Sequence, residues 1–240
     1  MISAAFEDLS QALRVLLEAH WKAYAGNLLL VDRAEAVGNI DTGLNAVLHA
    51  FHSLYDAIEK QHGVNPVDWY ATPELAVILA MRNARHHNKA NRIRNIYTYH
   101  VSTSSSPTQR VKYVLIDFPA EEDGADTFEI YLSWSDLEQL LNMASEESRL
   151  RKGTKELIHR YLGAERFPAY AATHGVGIEK LFFNVIPLIV NAARTIVPLI
   201  KTDLKPISTE SETYMMHFGS VSRAQTDKHE VHVLNLALPH

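Results

Sequence analysis

LAVILAMRNARHHNK, residues 75–89, is an apolar helical run that ends abruptly in arginines, histidines and asparagines. Leu75, Ile78 and Leu79 share one stripe at helical spacing, and Arg82 and His86 continue that stripe. The face that should pack on a core therefore becomes cationic near its end. Because burying an unpaired charge is costly, this change predicts a cleft, an interface or a paired network at the end of the helix.

The composition is that of an ordinary globular protein with a local basic patch. The chain has 240 residues, enough for a substantial core, and 47% of them are apolar. Its formal net charge of −5 gives no general positive field for nucleic acid. Residues 82–94 nevertheless contain five arginines and lysines and no acidic residue. Any interaction with nucleic acid is therefore expected at this patch.

Several classes of protein are disfavoured. There are no cysteines, which excludes disulfides and thiolate metal sites and fits a cytoplasmic location. The N-terminus lacks the pattern of a signal peptide, and the apolar stretch Leu181–Ile200 is interrupted by polar residues and prolines. We expect a buried core helix there and no membrane span. No Walker, Rossmann or nucleophile-elbow motif occurs.

The pattern of elements predicts a mainly α protein with a small antiparallel β-sheet, an α+β helical bundle with an accessory sheet. Amphipathic stripes predict helices over 6–24, from Asp41 or Thr42 to about 63, and from 73 into the basic patch. Further helices are expected over 135–143, 147–162 and 178–201. Strand-like runs at 96–103, 110–118 and 127–132 predict an antiparallel meander with an acidic link at 121–124, and 214–221 with 229–238 predict a hairpin. The segments, which could form one domain, are a bundle core (1–95), the meander (96–132), further helices (133–205) and the hairpin (206–240).

Arginine and histidine together suit phosphodiester chemistry. Cleavage of RNA through its own 2′-hydroxyl needs a base, an acid and positive charge on the phosphate. We assign the phosphate contact to Arg82, the acid–base role to His87, and orientation of the phosphate or of His87 to Asn83. On an ideal helix Arg82 and His87 lie about 140° apart. We therefore expect the helix to end near His86, or two copies to meet there.

Arg82-Asn83-x-x-x-His87 resembles the signature of the HEPN superfamily: an arginine, a polar residue, and a histidine after four to six intervening residues at the end of a bundle helix. The resemblance covers residues 1–95. It implies a homodimer with the motif facing the partner, and a metal-independent ribonuclease of a toxin–antitoxin or antiviral defence system. RNA and a protein such as an antitoxin are the implied partners. One subgroup has a tyrosine two residues after the histidine, where this chain has Lys89.

Four neighbouring residues, Arg85, His86, Lys89 and Arg92, are predicted to contact the substrate. They could equally be cations on the negative end of a helix dipole or on a solvated face. The alternative function is a non-enzymatic helical interaction or scaffold protein with a basic docking patch. We expect no cofactor and no metal, because pairs such as His49 and His52 lack the spacing of a known metal motif.

Overall fold

A computed structural model describes residues 1–120 and 128–238 of the chain. The protein is mainly α-helical and has one small four-stranded sheet, as the fold class predicted from the sequence requires. In the described residues the α-helices are α1 (Ile2–Tyr24), α2 (Leu28–Val31), α3 (Arg33–His62), α4 (Pro73–His86), α5 (Ile96–Thr103), α6 (Trp134–Leu141), α7 (Ser145–Ser148), α8 (Thr154–Tyr161), α9 (Phe167–Thr173), α10 (Ile186–Ile200) and α11 (Thr209–Ser220). The strands are β1 (Val111–Asp117), β2 (Tyr131–Ser133), β3 (Leu181–Asn184) and β4 (Glu230–Leu236).

Helix α4 lies at the centre of the bundle. It begins with Pro73 at its first position, as predicted, and packs against α3, α8 and α10. Every residue from Leu75 to Met81 is buried. A helix that is apolar on all sides belongs in a core, so α4 is more deeply enclosed than a single apolar stripe indicates.

Helix α3 begins earlier than predicted. The side chain of Asp32 accepts a hydrogen bond from the backbone N–H of Glu35, and the helix continues to His62, where Gly63 ends it at φ +76°. The predicted start at Asp41 or Thr42 was therefore wrong, whereas the predicted end is confirmed. Gly43 lies inside the helix because a Cβ there would come within 3.0 Å of the Cα of Leu16 on α1. This glycine permits close packing of α1 on α3 and does not interrupt the helix.

The sheet is mixed, not antiparallel. Its strand order is β2-β3-β1-β4, with β1 and β3 parallel and the other two pairs antiparallel. Tyr113 and Phe182 face α5, whereas Val114 and Ile116 join the core of the bundle. The sheet is therefore a layer between α5 and the bundle, because alternate residues of a strand point to opposite faces.

Two of the predicted strands are helices. Residues 96–103 form α5, whose first turn is capped by the side chain of Asn95, so the predicted meander was wrong. Residues 214–221 lie mainly in α11, which begins with a capping box of Ser208 and Ser211, so the predicted hairpin was wrong. The strands predicted at 110–118 and 229–238 are confirmed as β1 and β4, and they pair with each other. The predicted acidic link at 121–124 lies outside the described residues.

The later helices are shorter than predicted. The run 178–201 divides into β3 and α10, and the run 147–162 divides where Arg149 adopts φ +59° between α7 and α8. Helix α6 begins at Trp134, and the side chain of Ser133 caps it. None of the described helices has the length and apolar character needed to cross a membrane. One hydrophobic cluster includes residues from Ile2 to Ala224, so the four predicted segments share a core.

Candidate functional site: the end of helix α4

The predicted end of α4 near His86 is confirmed, and Asn88 produces it. His86 is the last helical residue, His87 is the C-cap, and Asn88 adopts the left-handed conformation at φ +51°. The N–H of Lys89 then donates to the carbonyl of Ala84 at 2.9 Å, which is the long hydrogen bond of a Schellman motif. Asparagine adopts this conformation more readily than most residues. The helix therefore stops within one turn of Arg82.

Arg82 is partly exposed and is not neutralised by an adjacent carboxylate. Its Nη1 donates to Oδ1 of Asn83 at 3.3 Å, while Nδ2 of Asn83 donates to the carbonyl of Arg149 at 3.2 Å. Within the described residues, no carboxylate lies within 4.0 Å of the guanidinium, and Nε has no hydrogen-bond partner. Partial burial lowers the pKa of Arg82, and the carboxylate of Asp56 opposes this shift. The unpaired Nε is buried, whereas Nη2 has no hydrogen-bond partner among the described residues and can bind a ligand.

Imidazoles from α3 and α4 meet beside Arg82. The ring of His86 lies 5.8 Å from that of His49 and 4.7 Å from that of His87, between centroids. His52 is half-buried, and its Nε2 lies 3.9 Å from Oδ2 of Asp56. We call the following set the Arg82 cluster: His49, His52, Arg82, Asn83, His86, His87 and Arg149.

The pKa values of two imidazoles show how the charges interact. Burial, followed by the charge of Arg82, lowers the pKa of His52, and Asp56 partly opposes this effect. Partial desolvation lowers the pKa of His87, and the charges of His86, Arg149, Arg82 and Lys89 add to the shift. The charge of Arg82 thus reaches both His52 and His87. The lowered pKa values favour the uncharged form of each imidazole, which can accept a proton.

Arg85 lies in a different environment from Arg82, although only three residues separate them. Its side chain is 3% exposed, and its Nη2 donates to Oδ1 of Asp41 and to the carbonyl of Ile93, at 3.3 Å each. Arg85 and Arg92 both line a separate polar cavity of about 350 Å³. The four residues predicted to contact the substrate are therefore divided. His86 and Lys89 lie near His87, whereas Arg85 and Arg92 belong to the cavity.

Sequence reasoning did not assign His52, Asp56 or Arg149 to this site. A signal existed for the first two, because polar residues recur along one side of α3. At 100° per residue, these residues fall within about 80° of one another. They are Asp41, Asn45, His49, His52 and Asp56. Arg149 had no such signal, since it follows the short helix α7 and reaches Asn83 across 66 positions.

A metal site is not evident in the part of the chain that the structure describes. No group of three or more histidine, aspartate or glutamate side chains there is placed to hold an ion. His100 is buried and has other partners. Its two ring nitrogens bond to the hydroxyl of Tyr113 and the carbonyl of Pro107.

No family model, no curated protein and no solved structure matches this chain. The chemistry available at the end of α4 is therefore inferred from its contacts. The guanidinium of Arg82 can hold a phosphate, and the imidazole of His87, whose pKa is lowered in part by the charge of Arg82, can accept a proton.

Proposed function

We propose that the Arg82 cluster binds the phosphodiester backbone of RNA and cleaves it without a metal ion. The observation that supports this proposal most directly is an arginine without a carboxylate partner among the described residues, close enough to lower the pKa of an imidazole. Cations that serve only the fold are normally matched by carboxylates, as Arg85 is by Asp41. Arg82 instead retains free donors on a partly exposed surface, which suits an incoming anion.

The proposed reaction uses each residue in a separate role. His87 accepts the proton of the RNA 2′-hydroxyl, and the 2′-oxygen attacks the adjacent phosphorus. The bond from phosphorus to the 5′-oxygen breaks, and His86 or His52, once protonated, donates a proton to that oxygen. The products are a 2′,3′-cyclic phosphate and a 5′-hydroxyl. Arg82 stabilises the negative charge on the phosphate as the transition state forms.

Asn83 and Arg149 support Arg82 in this proposal. Asn83 accepts a hydrogen bond from Arg82 and donates one to the backbone of Arg149, so it links α4 to the residue after α7. We assign Asn83 the role of positioning the guanidinium. The side chain of Arg149 adds positive charge near His87.

The test compares cleavage of a single-stranded oligoribonucleotide by the wild-type protein and by Arg82→Ala and His87→Ala, with excess chelator present. Wild-type cleavage should persist, and either variant should lose at least about 100-fold in rate, since a positioned acid–base group contributes 10² to 10⁴. Arg82→Ala should also reduce the salt dependence of RNA binding by about 0.7 in log–log slope, the contribution of one phosphate contact.

Two variants outside the cluster, Arg110→Ala at an exposed position and His174→Ala at a partly exposed one, serve as controls and should cleave like the wild type. Circular dichroism checks that every variant is folded. Unchanged cleavage by Arg82→Ala and His87→Ala would exclude this mechanism. RNA binding without cleavage by the wild-type protein would support the alternative, a non-enzymatic interaction protein with a basic docking patch.

The HEPN resemblance adds three elements to the proposal: a homodimer, a defence role as a toxin, and an antitoxin partner. All the residues of the Arg82 cluster come from one chain, so a second copy would shape the groove without completing the cluster. Light scattering after size exclusion measures the oligomeric state. Arrest of bacterial growth on expression of the wild type, and not of His87→Ala, would support the toxin role.

A further inference from the structure

The chain after α4 adopts an unusual backbone conformation. Residues 90–93 are Ala, Asn, Arg and Ile, and each has a positive φ, between +45° and +61°. Two hydrogen bonds close this left-handed turn, from the N–H of Arg92 to Lys89 at 2.7 Å and from that of Ile93 to Ala90 at 2.9 Å. Side chains of L-residues, above all a β-branched one, are strained in this region. Such strain persists only where the surroundings impose it, and it clusters at ligand sites.

One buried carboxylate holds the left-handed turn in place. The side chain of Asp136 on α6 is 4% exposed. It accepts hydrogen bonds from Nδ2 of Asn91 at 2.9 Å and from the N–H, Nε and Nη2 of Arg94 at 2.8–3.1 Å. The turn is thus fixed from inside. Arg92 is directed outward, is exposed, and makes no hydrogen bond or ion pair within the part of the chain that the structure describes.

The left-handed turn forms one wall of the polar cavity, and residues of α3 and α5 form the others. The volume of about 350 Å³ lies at the lower end of the range for small-molecule sites. Arg85 pairs with Asp41, and Arg94 pairs with Asp136, so each of these charges is balanced. The charge of Arg92 is not balanced by either carboxylate. The cavity therefore has one positive charge in excess, together with the amide side chains of Asn45 and Asn91.

We propose that this cavity binds a phosphomonoester, with Arg92 as the main contact to the phosphoryl group. The guanidinium offers paired donors to the phosphate oxygens, and the amide of Asn45 offers a further polar contact. The strained turn places Arg92 at the cavity without using its charge for the fold. The phosphoryl group belongs either to a free small molecule or to the 5′ end of an RNA chain. The site is separate from the Arg82 cluster and does not depend on the function proposed for that cluster.

Calorimetric titration with inorganic phosphate and with 5′-AMP tests the proposal on the full chain. Saturable binding of both probes at the cavity is expected. Arg92→Asn should lower the affinity for both probes at least tenfold, which is about the contribution of one charge-assisted hydrogen bond. Asparagine removes the charge and still tolerates a left-handed backbone, so the turn should persist. Arg92→Lys, which keeps the charge without the planar fork, should bind more tightly than Arg92→Asn.

Matched controls separate this site from general attraction to anions. Arg110→Asn removes the same charge from an exposed position outside the cavity, and it should bind both probes like the wild type. The loss of binding caused by Arg92→Asn should also appear in an Arg82→Ala background, so the two proposals can fail independently. Absence of saturable binding to both probes, or equal affinity in the wild type, Arg92→Asn and Arg110→Asn, would overturn the proposal.

The source of the phosphoryl group is determined with two oligoribonucleotides that differ only in a 5′-phosphate. Tighter binding of the phosphorylated chain, lost in Arg92→Asn, identifies the RNA end as the ligand. Equal binding of the two chains, with 5′-AMP still sensitive to Arg92→Asn, identifies a free phosphomonoester. Either result supports the cavity as a phosphomonoester site.

Discussion

The two sides of the last turn of α4 use the same residue types in opposite ways. On one side, Arg82 lies among imidazoles, and no carboxylate in the described residues forms an ion pair with it. On the other side, Arg85 is buried and forms an ion pair with Asp41. Both arginines belong to one basic run of the sequence and to one helix. The difference teaches that partners from other parts of the chain decide which cation stabilises the fold and which remains free to bind.

The left-handed turn extends this contrast. Arg94 is satisfied by Asp136, whereas Arg92, two residues earlier, has no partner in the described part of the chain. In each region a paired arginine fixes the structure and an unpaired one is presented nearby. Free positive charge therefore lies at two places, at the Arg82 cluster and at the cavity.

The largest effect on stability is expected from removing the paired arginine of α4. Arg85→Ala breaks a buried ion pair and should lower the free energy of unfolding by about 2 kcal/mol, below the usual cost because Asp41 is one-third exposed. Arg82→Ala removes no ion pair among the described residues. It should change the free energy of unfolding by less than about 0.5 kcal/mol. Urea denaturation of the two variants measures the difference. Equal losses would contradict the division of the helix into a paired and a free side.

A smaller effect is expected from the strained backbone. Ala90→Gly relieves a positive φ and should raise the free energy of unfolding by about 0.5 kcal/mol, after the entropic cost of glycine. Ala46→Gly, on the exposed face of α3, is the matched control and should lower it by about 1 kcal/mol. The same denaturation assay reports both values. Equal destabilisation at the two positions would show that the turn stores no strain.

The smallest effect is the contribution of the imidazoles of the Arg82 cluster to the pH dependence of stability. The pKa values of His52 and His87 are lowered in the folded protein, so the unfolded chain binds protons at a higher pH than the folded one. The free energy of unfolding should be constant well above pH 6.5, the usual pKa of histidine. It should decrease as the pH falls below 6.5 towards the lowered pKa values of His52 and His87. His52→Gln should reduce the difference in unfolding free energy between pH 7.5 and 5.5. An unchanged difference would contradict the shift assigned to His52.

Local signals predicted α4 well because its determinants lie within the helix and just after it. Pro73 starts it, a continuous apolar run makes it buried, and Asn88 ends it. The hypothesis that Arg82 and His87 form one site was drawn from the same local stretch. The residues that join them from α3 were visible only as a polar stripe on another helix.

Strand assignments failed where composition was given more weight than local capping. Residues 96–103 are rich in β-branched and aromatic side chains, yet Asn95 caps a helix whose buried residues Ile96, Tyr99 and His100 follow helical spacing. Leu181–Asn184 is a short, fully buried strand, and such a run cannot be distinguished from a buried helix by periodicity. The pairing of β1 with β3 and β4 joins residues far apart in the chain, which no local pattern encodes.

The sequence by itself determined the mainly helical fold class, the bounds of α4, and the basic run that ends it, because caps, turns and apolar periodicity act over a few residues. Only the tertiary structure decided which arginines of that run are neutralised. Asp41 lies 44 positions from Arg85, and Asp136 lies 42 positions from Arg94. Whether a charge is paired or free depends on which carboxylates the folded chain brings within a few ångströms.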